Sequence, residues 1–311
     1  MYAPKNYVGG EWTPAATGET FTTQNPAAPA ETVGEYQQSG AADARAAVEA
    51  AAAAQSAWRE TPGPERGTIL RRVSAALAAE KESLTELLVA EEGKARPEAA
   101  GEVQRAIDIF AYYGSKAWDL GGTIKASSSR RRSVYTVQEP VGVAAIITPW
   151  NYPIAIPAWK IAPALATGTT VAFKPAEQAP GVAMRLAECL DEAGLPAGVL
   201  NVVTGPGVPA GEELTTHEAV DAVSFTGSAG VGDIVGSQAS ASGKRVQLEM
   251  GGKNPLLVMP SADVADAVEI AAAGAFGVTG QACTATSRAI VHEAVYDAFL
   301  DGVVAAAADV Q

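Results

Sequence analysis

Cysteine, histidine and positive charge are all scarce in this chain of 311 residues. Only two cysteines are present, too few for a disulfide framework, which fits a reducing cytoplasm. Lysine and arginine number 22 against 35 aspartates and glutamates, so the net charge is −13. The one basic cluster, Arg130 to Arg132, is too short to offset phosphate repulsion, and we therefore expect no nucleic-acid partner.

Long apolar runs are missing as well. No stretch of roughly eighteen apolar residues is free of charges or of glycine and proline breaks, so we expect neither a membrane span nor a membrane partner. The segment from Met1 to Pro14 lacks a basic region followed by an apolar one, which argues against a signal peptide. Because acidic residues dominate and lysine is rare, the composition indicates a high-salt cytoplasm, where excess charge maintains solubility.

Hydrophobic residues nonetheless make up 48% of the chain, enough for a large core and about two domains. Extended segments and then amphipathic helices are predicted at the N-terminus, and the polar segment Gly121 to Gln138 predicts a hairpin that could pair with another subunit. From Val141 onward, short strands alternate with helices, which is typical of βαβ units and predicts an α/β fold with a parallel sheet. The strands are expected at 141–148, 169–173, 199–203, 222–225 and 244–248, and the helices at 158–166, 182–192, 209–216 and 230–239.

A lone cysteine, Cys283, stands between small residues in the segment Val278 to Arg288. Such neighbours leave a sulfur uncrowded, as attack on a carbonyl requires. Upstream, Glu249 precedes a Gly-Gly pair, and its carboxylate could activate a water or the thiol. These two segments predict a reactive site, although a buried structural cysteine is the more common alternative.

Parallel sheets bind ligands at the carboxyl ends of their strands, so the loops there are the next candidates. The loop Thr226 to Gly232 opens a helix, a geometry that binds phosphate, although glycines there also suit a tight turn. Lys174 and Glu177 follow another strand and could bind an adenosine ribose; the alternative is a surface ion pair. Asn151 offers an amide donor for a developing oxyanion, or is simply a turn residue between two prolines.

Together, these segments resemble the NAD(P)-dependent aldehyde dehydrogenase superfamily, and the resemblance runs from about residue 6 to the end. The motifs that carry it, in the family's order and spacing, are Pro149-Trp150-Asn151, Lys174-Pro175-Ala176-Glu177, Phe225-Thr226-Gly227-Ser228, Leu248-Glu249-Met250-Gly251-Gly252-Lys253 and Gly280-Gln281-Ala282-Cys283. The region from Thr279 to Arg288 is also similar to the branch that oxidises α-ketoglutaric semialdehyde (2,5-dioxopentanoate). The resemblance implies a Rossmann-like, doubly wound parallel sheet with a second, incomplete α/β catalytic domain.

The resemblance also implies a role for each matching residue. Cys283 would attack the aldehyde and form a thiohemiacetal, while Asn151 and the N–H of Cys283 would hold the oxyanion. After hydride transfer to NAD(P)+, Glu249 would activate the water that hydrolyses the thioester to a carboxylic acid. The residues that would bind the cofactor are Thr148, Pro149, Trp150, Lys174, Glu177, Gly207, Thr226, Gly227, Ser228, Val231 and Gly251.

Cofactor, partners and domains follow from the same resemblance. A glutamate at 177 favours NAD because a carboxylate repels a 2′-phosphate, while NADP stays possible. The expected partners are a small-molecule aldehyde and further copies of the chain, in a dimer or tetramer. The domains would be a dinucleotide-binding domain at 1–121 and 139–252, an oligomerisation hairpin at 122–138, and the start of the catalytic domain at 253–311.

Other candidates for chemistry are weaker. Cys189 lies among apolar residues of a predicted helix and is expected to be structural. A cysteine–histidine hydrolase would require His217 or His292 to meet Cys283. Neither histidine stands near other ligands at metal-binding spacing, so no metal site is expected.

Family members continue well beyond residue 311, so the resemblance predicts a shortened catalytic domain. The apolar faces of the helices expected at 263–279 and 294–308 would then lack cover, which favours association. Two functions stay open on the sequence alone. One is an aldehyde dehydrogenase, and the other is a truncated, non-catalytic remnant that binds a dinucleotide.

Overall fold

The computed structural model describes residues 2–310. Contacts within it divide the chain into two compact units, Met1–Leu248 and Glu249–Gln311. Within the described residues, no helix is both long enough and apolar enough to cross a membrane.

The first unit begins with a tight antiparallel pair of strands, β1 (Asn6–Val8) and β2 (Glu11–Thr13). The turn between them is made by Gly9 and Gly10, whose φ angles are 64° and 84°. Only glycine adopts such angles without a steric penalty, which explains the Gly-Gly pair at this turn. The extended structure predicted at the N-terminus is thus confirmed.

Amphipathic helices follow, and their apolar stripes build the largest core. Leu70, Val73 and Leu77 are fully buried on one helix and Leu84 and Leu88 on the next, at the three- and four-residue spacing that one helix face requires. These helices are α1 (Ala41–Glu60), α2 (Gly63–Ala79), α3 (Lys81–Glu92) and α4 (Arg96–Lys116).

The alternating segment contains the predicted strands and helices with small shifts at their ends. Its strands are β7 (Val143–Ile147), β8 (Thr170–Lys174), β9 (Leu200–Val202), β10 (Ala222–Gly227) and β11 (Arg245–Met250). Its helices are α5 (Ala155–Thr167), α6 (Gly181–Glu192), α7 (Glu212–Thr216) and α8 (Ala229–Ala241).

These five strands, together with β1 and β2, form one seven-stranded sheet in the order β11-β10-β7-β8-β9-β1-β2. The pairs β10–β7, β7–β8 and β8–β9 are parallel, whereas β1 joins β9 antiparallel. The chain runs from β7 outward to β9 and then returns to the other side of β7 with β10, so the sheet is doubly wound as predicted. A topological switch point therefore lies between β7 and β10, the place where such sheets form a ligand crevice.

Two further antiparallel hairpins belong to the first unit. One joins β3 (Thr20–Asn25) to β4 (Ala28–Gln37). The other joins β5 (Ile124–Lys125) to β6 (Val134–Tyr135), inside the segment predicted as a polar hairpin. Ile124 pairs with Tyr135, and both side chains are exposed.

The second unit is a small α/β arrangement with a core of its own. Strand β12 (Asn254–Val258) pairs in parallel with β13 (Thr286–Val291), and the helices are α9 (Val264–Phe276) and α10 (Tyr296–Ala308). The buried residues of its core are Val258, Ala267, Ala271 and Phe299.

Three predicted boundaries were wrong for identifiable reasons. The helix expected at 263–279 ends at Phe276, because Gly277 at its C-cap has a non-helical ψ of 138°; Val278 and Thr279 then adopt left-handed φ of 50° and 53°. The helix expected at 209–216 is regular only from Glu212, since residues Gly207–Gly211 form a separate irregular turn in which Val208 has extended dihedral angles. The strand expected at 244–248 runs on to Met250 and thus includes position 249.

Candidate functional site

The register of the parallel strands aligns the predicted cofactor-binding loops. Ile147 pairs with Phe225 on one side and with Lys174 on the other. Neighbouring strands lie about 4.8 Å apart, so these three positions span roughly 10 Å along the sheet edge. Thr148, the first residue after β7, and Thr226, the next residue of β10, therefore lie side by side at the switch point.

Lys174 ends β8 as a buried cation. The residue is 3% exposed, and its Nζ donates to the carbonyl oxygen of Pro175 at 2.8 Å. Burial lowers the pKa of the Lys174 ammonium to about 8, while the charge of Glu177 acts in the opposite direction. The alternative of a surface ion pair is wrong for Lys174, because the amine is held inside the protein.

Thr148 places a hydroxyl at the same edge. The residue is buried, and its Oγ1 has no hydrogen-bond partner among residues 2–310. Its backbone N–H donates to the carbonyl oxygen of Lys174 at 3.3 Å, which ties the two strand ends together. A buried hydroxyl without a partner costs about 1–3 kcal/mol, so its retention at a ligand-binding edge indicates a group that a ligand can satisfy.

The start of α8 supplies the other side of the switch point. Ser228 is the N-cap, and its Oγ accepts from the N–H of Val231 at 3.4 Å. A Cβ on Gly227 would lie 2.5 Å from the ring of Phe225, so a larger residue does not fit there. The exposed N–H groups of a helix start attract anions, which suits a phosphate.

The remaining predicted cofactor residues are more open. Gly207 and Gly251 are exposed, and a Cβ on either would meet no atom within 4 Å. Pro149 and Trp150 are half-buried and follow Thr148 in the loop after β7.

Two buried charged residues make hydrogen bonds to the backbone of the loop between β7 and α5. Lys94 Nζ donates to the carbonyl oxygen of Asn151 at 2.8 Å and pairs with Glu102. The second carboxylate oxygen of Glu102 accepts from the N–H groups of Ile154 and Ala155, at 3.0 and 3.1 Å. The same buried ion pair thus holds the loop at Asn151 and again at the start of α5.

In the second unit, Cys283 is exposed, so the alternative of a buried structural cysteine is wrong for it. Asn254 holds its loop by donating from Nδ2 to the carbonyl oxygens of Cys283 at 2.9 Å and of Ala285 at 3.3 Å. A Cβ on Gly252 would lie 3.7 Å from the Cys283 carbonyl oxygen. The thiol is therefore presented on an accessible loop that a neighbouring strand end supports.

Glu249 is also exposed, at the end of β11 rather than in the loop after it. Side chains alternate in exposure along this strand, and Glu249 lies on its exposed face. An accessible carboxylate is free to exchange protons with water, which general-base chemistry requires.

Other nucleophiles and ligands have local roles. Cys189 is buried in α6, and desolvation raises the pKa of its thiol to about 12, so it is structural as predicted. The Nδ1 atoms of His217 and His292 each accept a backbone N–H two residues further on, from Ala219 and Ala294. Within the described chain, no cluster of three or more His, Cys, Asp or Glu side chains is arranged to hold a metal ion.

No motif in the sequence predicts a role for Lys94, Glu102 or Asn254. Asn254 directly follows the recognised motif Leu248 to Lys253, so its place two residues after Gly252 was a usable signal. Lys94 and Glu102 lie on either side of the start of α4, and no spacing rule connects them to the loop after β7.

Comparison with known proteins agrees with this arrangement. The model of the aldehyde dehydrogenase family matches residues 12–311. The α-ketoglutarate semialdehyde dehydrogenase of Haloferax volcanii is 64% identical over 95% of this chain, and that of Bacillus subtilis is 44% identical over 94%. An NAD-dependent aldehyde dehydrogenase from Sinorhizobium meliloti superposes over 100% of the chain with a TM-score of 0.97 at 37% identity.

The matches cover less of the relatives than of this chain. This chain spans 61% and 60% of the length of the two semialdehyde dehydrogenases and 62% of the Sinorhizobium meliloti structure. Because the family model covers nearly the whole sequence, and the doubly wound sheet and its motifs agree with it, the chain belongs to the aldehyde dehydrogenase family.

Proposed function

We propose that this protein is an NAD(P)-dependent dehydrogenase that oxidises α-ketoglutaric semialdehyde to the dicarboxylic acid, with Cys283 as its nucleophile. The observation that carries the proposal is the switch-point edge, where Thr148, Lys174 and Thr226 stand side by side in a chain that also bears an exposed thiol. The names of the relatives at 64% and 44% identity support the substrate.

The edge residues fit a dinucleotide. The unpartnered hydroxyl of Thr148 and the buried ammonium of Lys174 suit ribose hydroxyls, and the N-terminus of α8 with Gly227 and Ser228 suits the phosphates. Glu177 favours NAD over NADP. The remaining residues proposed to line the cofactor are Pro149, Trp150, Gly207, Val231 and Gly251.

The proposed chemistry starts with the Cys283 thiolate attacking the aldehyde carbon and forming a carbon–sulfur bond. The amide of Asn151 and the backbone N–H of Cys283 donate hydrogen bonds to the resulting alkoxide. A bound NAD(P)+ would supply a hydride acceptor for this carbon, and loss of the hydride would leave a thioester on Cys283. Glu249 then removes a proton from a water, which attacks the thioester and releases the acid and the thiol.

We further propose that the protein is cytoplasmic and assembles as a homo-oligomer. The exposed pair Ile124 and Tyr135 on the β5–β6 hairpin supports an interface there, since apolar residues on a short two-stranded hairpin gain from being covered. Light scattering coupled to size-exclusion chromatography, with Ile124→Ser as the variant, tests this assignment.

The experiment that tests the function follows the reduced-nicotinamide absorbance with purified protein in concentrated salt. α-Ketoglutaric semialdehyde and simple aldehydes are compared, with NAD and NADP, for the unsubstituted chain and for Cys283→Ala and Cys189→Ala. We expect turnover that Cys283→Ala abolishes and Cys189→Ala retains. Turnover that survives in Cys283→Ala would contradict the assigned nucleophile, and no turnover with any aldehyde would contradict the proposed activity of this chain.

A further inference from the structure

Three charged side chains are buried together beneath the loop after β7. The side chain of Lys94 is 0% exposed, that of Glu102 is 1% and that of Glu92 is 5%. Lys94 Nζ pairs with Glu102 Oε2 and lies 3.2 Å from Glu92 Oε2. It also sits 4.4 Å from the centre of the Tyr152 ring, a cation–π contact. These residues come from the end of α3, the turn after it and α4.

Their hydrogen bonds converge on the backbone of one short segment. Lys94 donates to the carbonyl oxygen of Asn151 at 2.8 Å. Glu102 Oε1 accepts from the N–H groups of Ile154 at 3.0 Å and Ala155 at 3.1 Å. One ion pair therefore holds both the residue that carries the predicted oxyanion donor and the first N–H groups of α5, where the helix dipole favours an anion.

Stability alone does not explain such a pair. Desolvating two charges is expensive, and well-packed apolar residues of similar volume often stabilise a protein as much or more. An ion pair that also makes hydrogen bonds fixes the positions of the groups it binds, because a hydrogen bond is strong only within a narrow range of distances and angles. Here the hydrogen bonds of Lys94 and Glu102 are made with backbone atoms of residues 151–155.

We propose that Lys94 and Glu102 are positioning residues, which fix the backbone of Asn151 so that its side-chain amide meets the developing oxyanion. This inference rests on the proposed function, because it concerns the donor of that reaction. Neither residue touches the substrate; both act through the loop that carries Asn151.

The expected loss of kcat follows from the cost of misplacing the Asn151 amide. Losing one oxyanion donor lowers kcat by about 10²–10³-fold, and a shift of about 1 Å in a catalytic group lowers the rate by about 10²-fold. Releasing the loop is therefore expected to lower kcat by about 10–10²-fold. The KM for the aldehyde is expected to change little, since the amide acts mainly on the charged transition state.

The test uses a paired replacement so that neither partner of the Lys94–Glu102 ion pair is left buried as a lone charge. Lys94→Met alone leaves the Glu102 carboxylate buried without its cation, which destabilises proteins strongly. Lys94→Met combined with Glu102→Gln removes both charges and keeps an amide oxygen for the Ile154 and Ala155 N–H groups. Lys116→Met, which removes an exposed ion pair with Asp119, is the matched control.

The paired variant, Asn151→Ala and the triple combination are compared by kcat, KM and the Kd for NAD. The expected result is that the paired variant loses kcat about 10–10²-fold, that Asn151→Ala loses more, and that the triple variant is no worse than Asn151→Ala. Such non-additivity places both effects on one donor, which a loss of stability alone does not produce.

Other results would overturn the inference. A paired variant with unchanged kcat, or a triple variant whose loss is the product of the separate losses, would show that Lys94 and Glu102 do not act through Asn151. A failure of the proposed function looks different: the unsubstituted protein then shows no aldehyde-dependent reduction of NAD(P), or keeps it in Cys283→Ala.

Discussion

Replacing Glu92 by glutamine tests the electrostatics of the buried cluster through its pH dependence. Desolvation raises the pKa of the Glu92 carboxyl from 4.5 to about 7, more than the attraction of Lys94 lowers it, and Glu102 and Glu98 add repulsion. The side chain is only 5% exposed, so solvent screens these effects little. In the unfolded chain the carboxyl regains its ordinary pKa.

The sign and size of the effect follow by linkage. A carboxyl that binds its proton more tightly in the folded state stabilises the fold below pH 4.5, and that contribution is lost as the pH rises to about 7. Each pKa unit corresponds to about 1.4 kcal/mol, so the full loss is about 3 kcal/mol. Glu92→Gln has no such loss, because its amide does not ionise.

Urea unfolding at constant high ionic strength measures this difference across pH 4 to 9. Relative to the unsubstituted chain, the free energy of unfolding of Glu92→Gln should rise by about 3 kcal/mol between roughly pH 4.5 and 7 and stay level above that. Glu82→Gln, which removes an exposed partner of Arg96, serves as the control. A difference between Glu92→Gln and the unsubstituted chain that does not change with pH would refute the reasoning.

Further predictions concern the junction between β10 and α8, the two thiols, and the salt dependence of stability. Gly227→Ala should lower the free energy of unfolding by about 1–3 kcal/mol, because the new Cβ would lie 2.5 Å from the Phe225 ring. Gly230→Ala should not lower it, because no atom lies within 4 Å of the new Cβ. Thermal unfolding of the two variants measures the difference. Iodoacetamide should alkylate the exposed Cys283 while leaving Cys189 intact in the folded protein, as peptide mass spectrometry reports; modification of Cys189 first would contradict the assigned burial. Since the net charge is −13, the melting temperature should rise with KCl concentration, and a melting temperature that is independent of salt would contradict a halophilic protein.

Much of the first unit could be predicted because its signals are local. The alternation of apolar strands with helices after Val141 determines which strands are parallel, and the loops at their carboxyl ends are then known. Small motifs such as Lys174 to Glu177 pointed to one edge of the sheet, and the strand register aligns Lys174 with Ile147 and Phe225.

What could not be predicted depends on residues far apart in the chain or on rare backbone angles. The contact of Lys94 with the Asn151 carbonyl joins residues 57 positions apart, and neither periodicity nor a motif indicates it. The left-handed angles at Val278 and Thr279, which follow the C-cap of α9 at Gly277, are a second case, because branched residues seldom adopt them and propensity does not predict them. The burial of Lys174 is a third case, because a lysine at the end of a strand, three residues before a glutamate, is usually exposed.

The most direct test of the central claim is to look for the acyl group on Cys283. Glu249→Gln is incubated with NAD and α-ketoglutaric semialdehyde, quenched in acid and digested, and the cysteine peptides are weighed. We expect an acyl adduct on the peptide that contains Cys283, because the adduct forms faster than Glu249→Gln hydrolyses it, and an unmodified Cys189 peptide. An adduct on Cys189, or continued turnover in Glu249→Gln with no adduct on Cys283, would contradict it.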